Sequence, residues 1–187
     1  MSFEYLVDPE KGPQWKGVLP GRPAPYVLRR GEGEHAMLFT DVFTVLLSGD
    51  ETNGQFGIIT AECPSGNLIP THAHAETHET FSIIEGQVRL FFEDGGTKTD
   101  TLLGPGDFAF VPAGTPHAYR VEEAARMMGT MTGGFERFFQ HMGTLTDHAT
   151  TRQPPFVPDF PRMQAAAQRH NMRFMPDYQW PTAADEG

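Results

Sequence analysis

Two histidines and a glutamate lie close together in a segment that has the residue pattern of a β-strand. His72 and His74 are two residues apart, and Glu79 follows His74 after four intervening residues. Alternate side chains of a strand point to the same side, so the two imidazoles are predicted to face one space. Imidazole and carboxylate together suit Fe, Mn, Co, Ni, Cu and Zn. The segment therefore predicts a large part of a transition-metal site.

A second segment, at residues 106–117, supplies another histidine. Strand-forming residues at Phe108, Phe110 and Val111 precede a Pro-Ala-Gly-Thr-Pro turn that leads directly into His117. Three histidines and one glutamate leave open positions on a metal that accepts five or six ligands. An oxygen-containing substrate and dioxygen can both approach such a centre.

Short strands must position these residues. Strand-like runs begin at Tyr26 and recur up to residue 132, separated by Gly, Pro and Asn or Asp turns, which predicts an antiparallel sandwich or barrel. A hairpin turn is predicted at Gly86. Beyond residue 133 the spacing of four apolar residues predicts one face of a short helix, and a second helix is predicted to begin at Pro161. The four apolar residues are Phe135, Phe138, Phe139 and Met142.

The two histidine segments resemble the cupin family in both of its motifs. The first motif is matched by Gly66, His72, His74, Glu79 and Gly86. The second is matched by Gly106, Pro112, Gly114 and His117, with Val121 in place of the usual final Asn. The resemblance implies an all-β jelly-roll barrel. We expect an N-terminal arm at 1–25, a single cupin barrel at 26–133, and a helical, proline-rich C-terminal extension at 134–187 packed on the barrel or on a partner subunit.

A closer resemblance is to bacterial single-cupin quercetinases, the flavonol dioxygenases. It rests on the strings GDFAFVP and PHAYR in the second motif, FERFF after it, and RFMPDYQW near residue 175. The resemblance implies one divalent metal per chain (nickel, cobalt, manganese or iron), held by His72, His74, Glu79 and His117. Glu79 is expected to act also as the general base for the flavonol hydroxyl. Dioxygen then opens the central ring, which releases carbon monoxide and a depside, and a homodimer is expected.

Aromatic residues in or beside the motifs predict a hydrophobic substrate pocket. We expect its lining to include Phe81, Phe108, Phe110, Tyr119, Phe135 and Phe138. The last two belong to the predicted helix, which would either form a lid over the pocket or simply pack on the barrel. Such a lining favours a flat hydrophobic ligand over a sugar phosphate. Arg89 and Arg120 are the only nearby basic residues, and strand alternation does not place either of them inside.

Charge and cysteine content exclude some functions. The formal net charge of −10 disfavours nucleic acid and anionic membranes as partners. The single cysteine, Cys63, suits a reducing cytoplasm. The sequence contains no run of about 20 apolar residues, the length that a membrane-spanning helix needs. A cytoplasmic protein is expected.

Three alternatives remain open at this stage. The same site would serve a dioxygenase of another enolic or phenolic substrate. A cupin isomerase or epimerase would need polar and basic lining. A non-enzymatic cupin that binds or senses a small molecule would often carry a DNA-binding helix-turn-helix, and no such segment precedes the predicted barrel.

Overall fold

The computed structural model of the protein describes residues 18–146 and 159–181. Within these ranges the chain forms ten strands and two helices. The strands are β1 (Glu34–Leu38), β2 (Asp41–Leu47), β3 (Phe56–Cys63), β4 (Leu68–His74), β5 (Glu79–Asp94), β6 (Thr97–Leu103), β7 (Phe108–Val111), β8 (His117–Thr132), β9 (Thr144–Leu145) and β10 (Met172–Phe174). The helices are α1 (Glu136–Met142) and α2 (Phe160–Arg169).

The strands bury one face, as the alternating sequence pattern predicts. In β3, buried residues alternate with half-buried ones over all eight positions. At the start of β8 the side chains of His117, Tyr119 and Val121 are buried, whereas Arg120 is exposed. A sheet with this period of two has one face on the core and the other toward solvent. The prediction of an all-β jelly-roll fold is confirmed.

Strand β8 connects the two parts of the curled sheet. The sheet runs in the order β10-β4-β8-β3-β2-β1-β9, and β5 pairs with β6, β7 and the other edge of β8. All of these pairs are antiparallel. His117 on β8 lies opposite His72 on β4 and opposite Phe92 on β5. The topology therefore brings the two histidine segments into direct register.

The predicted hairpin turn at Gly86 is wrong, because β5 continues through it to Asp94. The register of β5 against β8 shifts three times between Ile83 and Val88, which marks a β-bulge. Gly86 has a φ of 77°, and a Cβ there would lie 2.1 Å from the carbonyl oxygen of Ala124. Glycine is thus required by a close approach of two backbones. The hairpin turn that does follow β5 is the predicted Gly95-Gly96 turn, where both residues have positive φ.

Both predicted helices are present. The four apolar residues predicted to share one face of the first helix are all buried. Helix α2 begins as predicted, with Pro161 in its first turn, and the Asp159 side chain accepts a hydrogen bond from the backbone N–H of Arg162 at 3.0 Å. The Arg162 side chain in turn donates to the carbonyl oxygens of His141 and Gln140 at the end of α1. The two helices are therefore fastened to each other.

A buried polar cluster fixes α1 on the sheet. Arg137 and Gln140 of α1 both donate to one carboxylate oxygen of Glu34 on β1. Glu34 and Gln140 are almost completely buried, and Arg137 is 7% exposed. Charge-assisted hydrogen bonds of this kind fix geometry as well as energy. Helix α1 is thus held at a defined position at one end of the half-barrel.

Some sequence expectations are corrected or stay untested. Tyr26–Leu28 was expected to be a strand, but it has no strand structure, and Val27 is 74% exposed. Strands β9 and β10 were not predicted, because two or three residues give no periodic signal. Residues 1–17 of the expected arm and most of the proline-rich stretch lie outside the described residues, and the boundaries at 25 and 133 remain predictions. No helix in the described parts of the chain is long and apolar enough to cross a membrane.

Candidate metal centre

Four buried side chains converge at one end of the half-barrel. His72 and His74 come from the end of β4, Glu79 is the first residue of β5, and His117 is the first residue of β8. Each is at most 7% exposed. One ligand atom from each of the four lies within 4.8 Å of all the others. The structure therefore brings together the complete ligand set predicted from the sequence.

The spacing within this group matches neighbouring ligands of one metal ion. Glu79 Oε2 lies 3.2 Å from His74 Nε2 and 3.1 Å from His117 Nε2. Metal bonds of about 2.1 Å place adjacent ligand atoms about 3 Å apart when the angle between them is near 90°. The rings of His72 and His117 are also close, with centroids 4.2 Å apart.

Backbone carbonyls determine which ring nitrogen of each histidine is free. His72 Nδ1 donates to the carbonyl oxygen of Pro70 at 2.7 Å, and His117 Nδ1 donates to that of Thr115 at 2.9 Å, because a carbonyl can only accept. In the neutral rings Nε2 then carries a lone pair that faces the other ligands. This is the usual outer support of a histidine that binds a metal.

The surroundings of His74 independently test whether the four side chains suit a metal ion. Both of its ring nitrogens are buried; within the described residues Nδ1 has no hydrogen-bond partner, and Nε2 has only the contact with Glu79 Oε2 at 3.2 Å. Buried polar atoms nearly always have a partner. For neutral His117, the lone pair of Nε2 would face a carboxylate oxygen, so two acceptors would oppose each other until a cation joins them. The donor set and its missing partners fit a divalent transition metal.

The electrostatics of the group favour the forms that bind a metal. Burial, together with the charges of His117 and His74, holds the pKa of His72 well below its usual value. Burial alone raises the pKa of Glu79, but the nearby His74 and the contact with His117 Nε2 outweigh it, so that this pKa is well below its usual value. Neutral imidazole and ionised carboxylate are the states that coordinate metals.

A narrow apolar cavity adjoins the centre. Its volume is about 70 Å³, and no lysine or arginine lines it within the described residues. His72 and Glu79 reach its wall from the centre. The remaining lining comes from β1, β2, β3, β4, the start of β5, β8, α1 and β10, and is mainly Leu, Ile, Met and Phe. Phe135 packs edge-on against the His74 ring, with centroids 4.1 Å apart, so the residue preceding α1 covers the centre directly.

The predicted pocket residues divide into two groups. Phe81, Tyr119, Phe135 and Phe138 line the cavity. Phe108 and Phe110 do not: they are 64% and 56% exposed, because β7 directs Val111 inward and these two outward. The ring of Phe110 lies instead 5.8 Å from that of His78.

Arg89 and Arg120 lie outside the cavity. Arg89 pairs with Asp100 and Glu122, and Arg120 also pairs with Glu122, in an exposed group on the outer face of the sheet. Neither arginine is therefore placed to contact a ligand in the cavity. A phosphate group would therefore find no cationic partner among the residues that line it.

Sequence reasoning missed part of the lining. Met172 and Phe174 reach the cavity from β10, and Phe174 lies opposite His72 across the pairing of β10 with β4. A three-residue strand leaves no signal in the sequence. Met127 also lines the cavity, and a signal for it was available: counting alternate residues along β8 from His117 places it inside.

Comparisons with known proteins agree with this geometry. Residues 60–131, which contain all four converging side chains, match the cupin domain family. The chain is also 36% identical over 141 residues to quercetin 2,3-dioxygenase of Bacillus subtilis (strain 168), an alignment that covers 74% of this chain and 40% of that protein. The chain therefore spans well under half the length of this relative.

The fold is also similar to solved structures. Oxalate decarboxylase from Bacillus subtilis superposes with a TM-score of 0.50 and 18% identity, over 62% of this chain and 32% of that one. At this identity the likeness shows a shared fold and nothing about the reaction. The resemblance to quercetin 2,3-dioxygenase is the comparison that bears on chemistry.

Proposed function

We propose that this protein is a metal-dependent dioxygenase that cleaves the central ring of a flavonol such as quercetin. The observation that supports it most is the convergence of three histidines and a glutamate, all buried, beside an almost wholly apolar cavity whose wall His72 and Glu79 reach. The similarity to quercetin 2,3-dioxygenase supports the choice of substrate class. The lack of basic lining disfavours a sugar phosphate.

The proposed reaction requires one proton transfer and one oxygen molecule. The flavonol loses the proton of its 3-hydroxyl, and the two atoms of dioxygen add to C2 and C4. The bonds from C3 to these two carbons break, and C3 leaves with its own oxygen as carbon monoxide. The remainder is a depside that contains both atoms of dioxygen, so the reaction needs no external reductant.

Glu79 is proposed to hold the metal and to accept this proton. Its carboxylate is ionised in the folded protein, and its second oxygen is available because only Oε2 is engaged with the two histidines. A nickel, cobalt, manganese or iron ion at the centre would supply a positive charge that lowers the pKa of a hydroxyl beside it. The acidified hydroxyl of the substrate would then lie within reach of Glu79, which acts as the base.

The cavity is proposed to exclude water and to open for the substrate. A water molecule needs about 10–15 Å³, so a cavity of about 70 Å³ holds only some five to seven water molecules. The three rings of a flavonol need more room than that. Phe135 and Phe138 line the cavity from the start of α1, and we propose that they move aside on entry and then close over the ring system.

The direct test uses metal-free protein reloaded separately with nickel, cobalt, manganese and iron. Quercetin is added in air, and loss of flavonol absorbance is followed together with carbon monoxide release. Metal-dependent loss with stoichiometric carbon monoxide is the expected result. Metal binding without turnover of any flavonol would refute the substrate class and direct the search to other enolic or phenolic compounds. Failure to bind any of the four metals would refute the centre and leave a non-enzymatic binding protein.

Variants separate the two roles of Glu79. Glu79→Gln is expected to lower kcat by about 100- to 10,000-fold, because a general base contributes about that much. Metal content measured by mass spectrometry should fall far less, since the three histidines remain. The matched control is Glu76→Gln, an exposed glutamate of the same loop outside the four-residue centre. Normal turnover by Glu79→Gln would show that this residue is not the base.

The expected homodimer belongs to the proposal as well. Sedimentation of the metal-loaded protein measures it directly. A monomer at micromolar concentration would remove the dimer from the proposal without affecting the chemistry.

A further inference from the structure

Besides His72 and Glu79 of the centre, two polar side chains line the cavity within the described residues, those of Thr80 and Tyr119. Tyr119 follows His117 by two positions on β8, so both side chains are directed inward. It lies opposite Ile69 of β4 and Leu90 of β5, and its ring packs edge-on against Phe81 with centroids 5.8 Å apart. Only 7% of Tyr119 is exposed.

Tyr119 differs in its hydrogen bonding from the other polar side chains of the wall. His72 and Glu79 belong to the centre. Thr80 is satisfied, because its hydroxyl accepts from Thr130 N at 2.9 Å and is 3.4 Å from Thr130 O. The Tyr119 hydroxyl makes no hydrogen bond to any group in residues 18–146 or 159–181, and its oxygen keeps some accessible surface.

An unpaired phenol in this position calls for an explanation. A hydroxyl that faces apolar surroundings without a partner is unfavourable, and the hydroxyl of a largely buried tyrosine usually finds one. Phenylalanine would fill the same space against Phe81 without that cost. Ligand pockets are typically apolar, with a few polar groups that fix the orientation of the ligand. The Tyr119 hydroxyl has the properties of such a group.

We propose that the Tyr119 hydroxyl hydrogen-bonds to a second oxygen of the substrate, remote from the oxygen that is placed at the metal centre. Tyr119 is then a specificity-determining residue that selects aromatic substrates with oxygen functions at two separate places. This inference rests on the proposed flavonol dioxygenase function. It adds to that function a preference for ring-hydroxylated flavonols over the unsubstituted parent compound.

The selectivity has a physical basis. Apolar walls discriminate weakly between a compound with a hydroxyl and one without it. A site built to hydrogen-bond a substrate hydroxyl discriminates more strongly, because its own polar group is left unpaired with the wrong compound. The Tyr119 hydroxyl creates this difference inside a cavity that is otherwise apolar.

The test compares the wild type with Tyr119→Phe on two substrates, quercetin and unsubstituted 3-hydroxyflavone, using metal-loaded protein. The substitution keeps the ring and removes only the hydroxyl. For quercetin, KM is expected to rise about 5- to 10-fold, the effect of losing one net hydrogen bond. For 3-hydroxyflavone, KM should change less than about twofold, because that compound has no hydroxyl besides the reacting 3-hydroxyl with which contact could be lost.

Tyr178→Phe serves as the matched control. It removes a phenolic hydroxyl that bonds to Glu93 outside the cavity, and it should leave KM for both substrates unchanged. Metal content and Tm are measured for all three proteins, so that a damaged fold is recognised. An equal change in KM for the two substrates, or no change for either, would overturn the role of Tyr119 while leaving the dioxygenase proposal intact. If the wild type turns over neither flavonol, the proposed function fails and this inference fails with it.

Discussion

The bulge at Gly86 gives a prediction whose size follows from measured distances. Replacing Gly86 with alanine would place a Cβ 2.1 Å from the carbonyl oxygen of Ala124 and 2.7 Å from the Cα of Ala125. Ordinary contacts of this kind begin near 3.4 Å. The backbone of β8 or β5 must therefore move by more than an ångström, at the point where the strands that carry His117 and Glu79 cross.

Two effects add up in this variant. An L-residue at the left-handed φ of 77° costs about 1–2 kcal/mol, partly offset by about 0.4–1 kcal/mol from the stiffer unfolded chain. The backbone shift disturbs ladder hydrogen bonds worth about 0.5–1.5 kcal/mol each and adds overpacking strain of about 1–3 kcal/mol. We expect Gly86→Ala to lose about 3–5 kcal/mol of unfolding free energy, or about 10 °C in Tm.

Gly96→Ala is the matched control. Gly96 also has a positive φ, of 87°, but a Cβ there meets nothing within 4 Å. This variant should lose only about 0.5–1 kcal/mol, the strain without the collision. Urea unfolding followed by fluorescence measures both variants. Equal losses would refute the crossing of β5 over β8 and restore an open turn at Gly86.

Two further predictions concern buried charges. Arg137→Met leaves the carboxylate of Glu34 buried without its charge partner and should cost about 3–5 kcal/mol in urea unfolding, whereas Arg126→Met breaks an exposed pair with Glu85 and should cost less than about 1 kcal/mol; comparable costs would contradict the buried pair. Burial raises the pKa of Asp41 from 3.8 to about 6, so the folded protein keeps a proton between these pH values that the unfolded chain has lost, and stability falls as the pH rises through that window. Asp41→Asn should therefore be about 2–3 kcal/mol more stable than the wild type at pH 7.5 and equal to it near pH 3.5, and a stability gain that does not depend on pH would refute this origin.

Much of the fold follows from local sequence patterns, and the errors have a common cause. The long strands and α1 carry clear periods of two and 3.6 residues, so the sequence predicts them. Gly86 was misread because glycine serves equally in a turn and at a close backbone approach. Only the strand opposite, β8, distinguishes the two cases. Strand β10 was missed because its three residues are specified by their partner β4 rather than by their own pattern.

In the candidate site, too, local sequence patterns predict some features and miss others. Histidine and glutamate spacing predicted the four converging side chains, since strand alternation and the cupin motifs carry that information. The lining of the cavity depended on which face of each strand points inward. Phe108 and Phe110 were therefore placed incorrectly, although they lie in the same motif segment as His117. The carbonyls of Pro70 and Thr115 that orient the histidine rings are backbone groups, for which the sequence has no side-chain signal.

The pairing of β10 with β4 also bears on how the protein is made. Met172 lies opposite His74, and Phe174 lies opposite His72, so β10 covers the outer edge of the strand that supplies two of the four ligands. On the ribosome β10 is synthesised about 100 residues after β4, which at about 5–20 residues per second is a delay of about 5–20 seconds. During that interval β4 has an exposed edge with unpaired backbone groups, the state in which strands join wrong partners. In a chain that folds as it is synthesised, the edge of β4 beside two of the four converging side chains is therefore covered only late in synthesis.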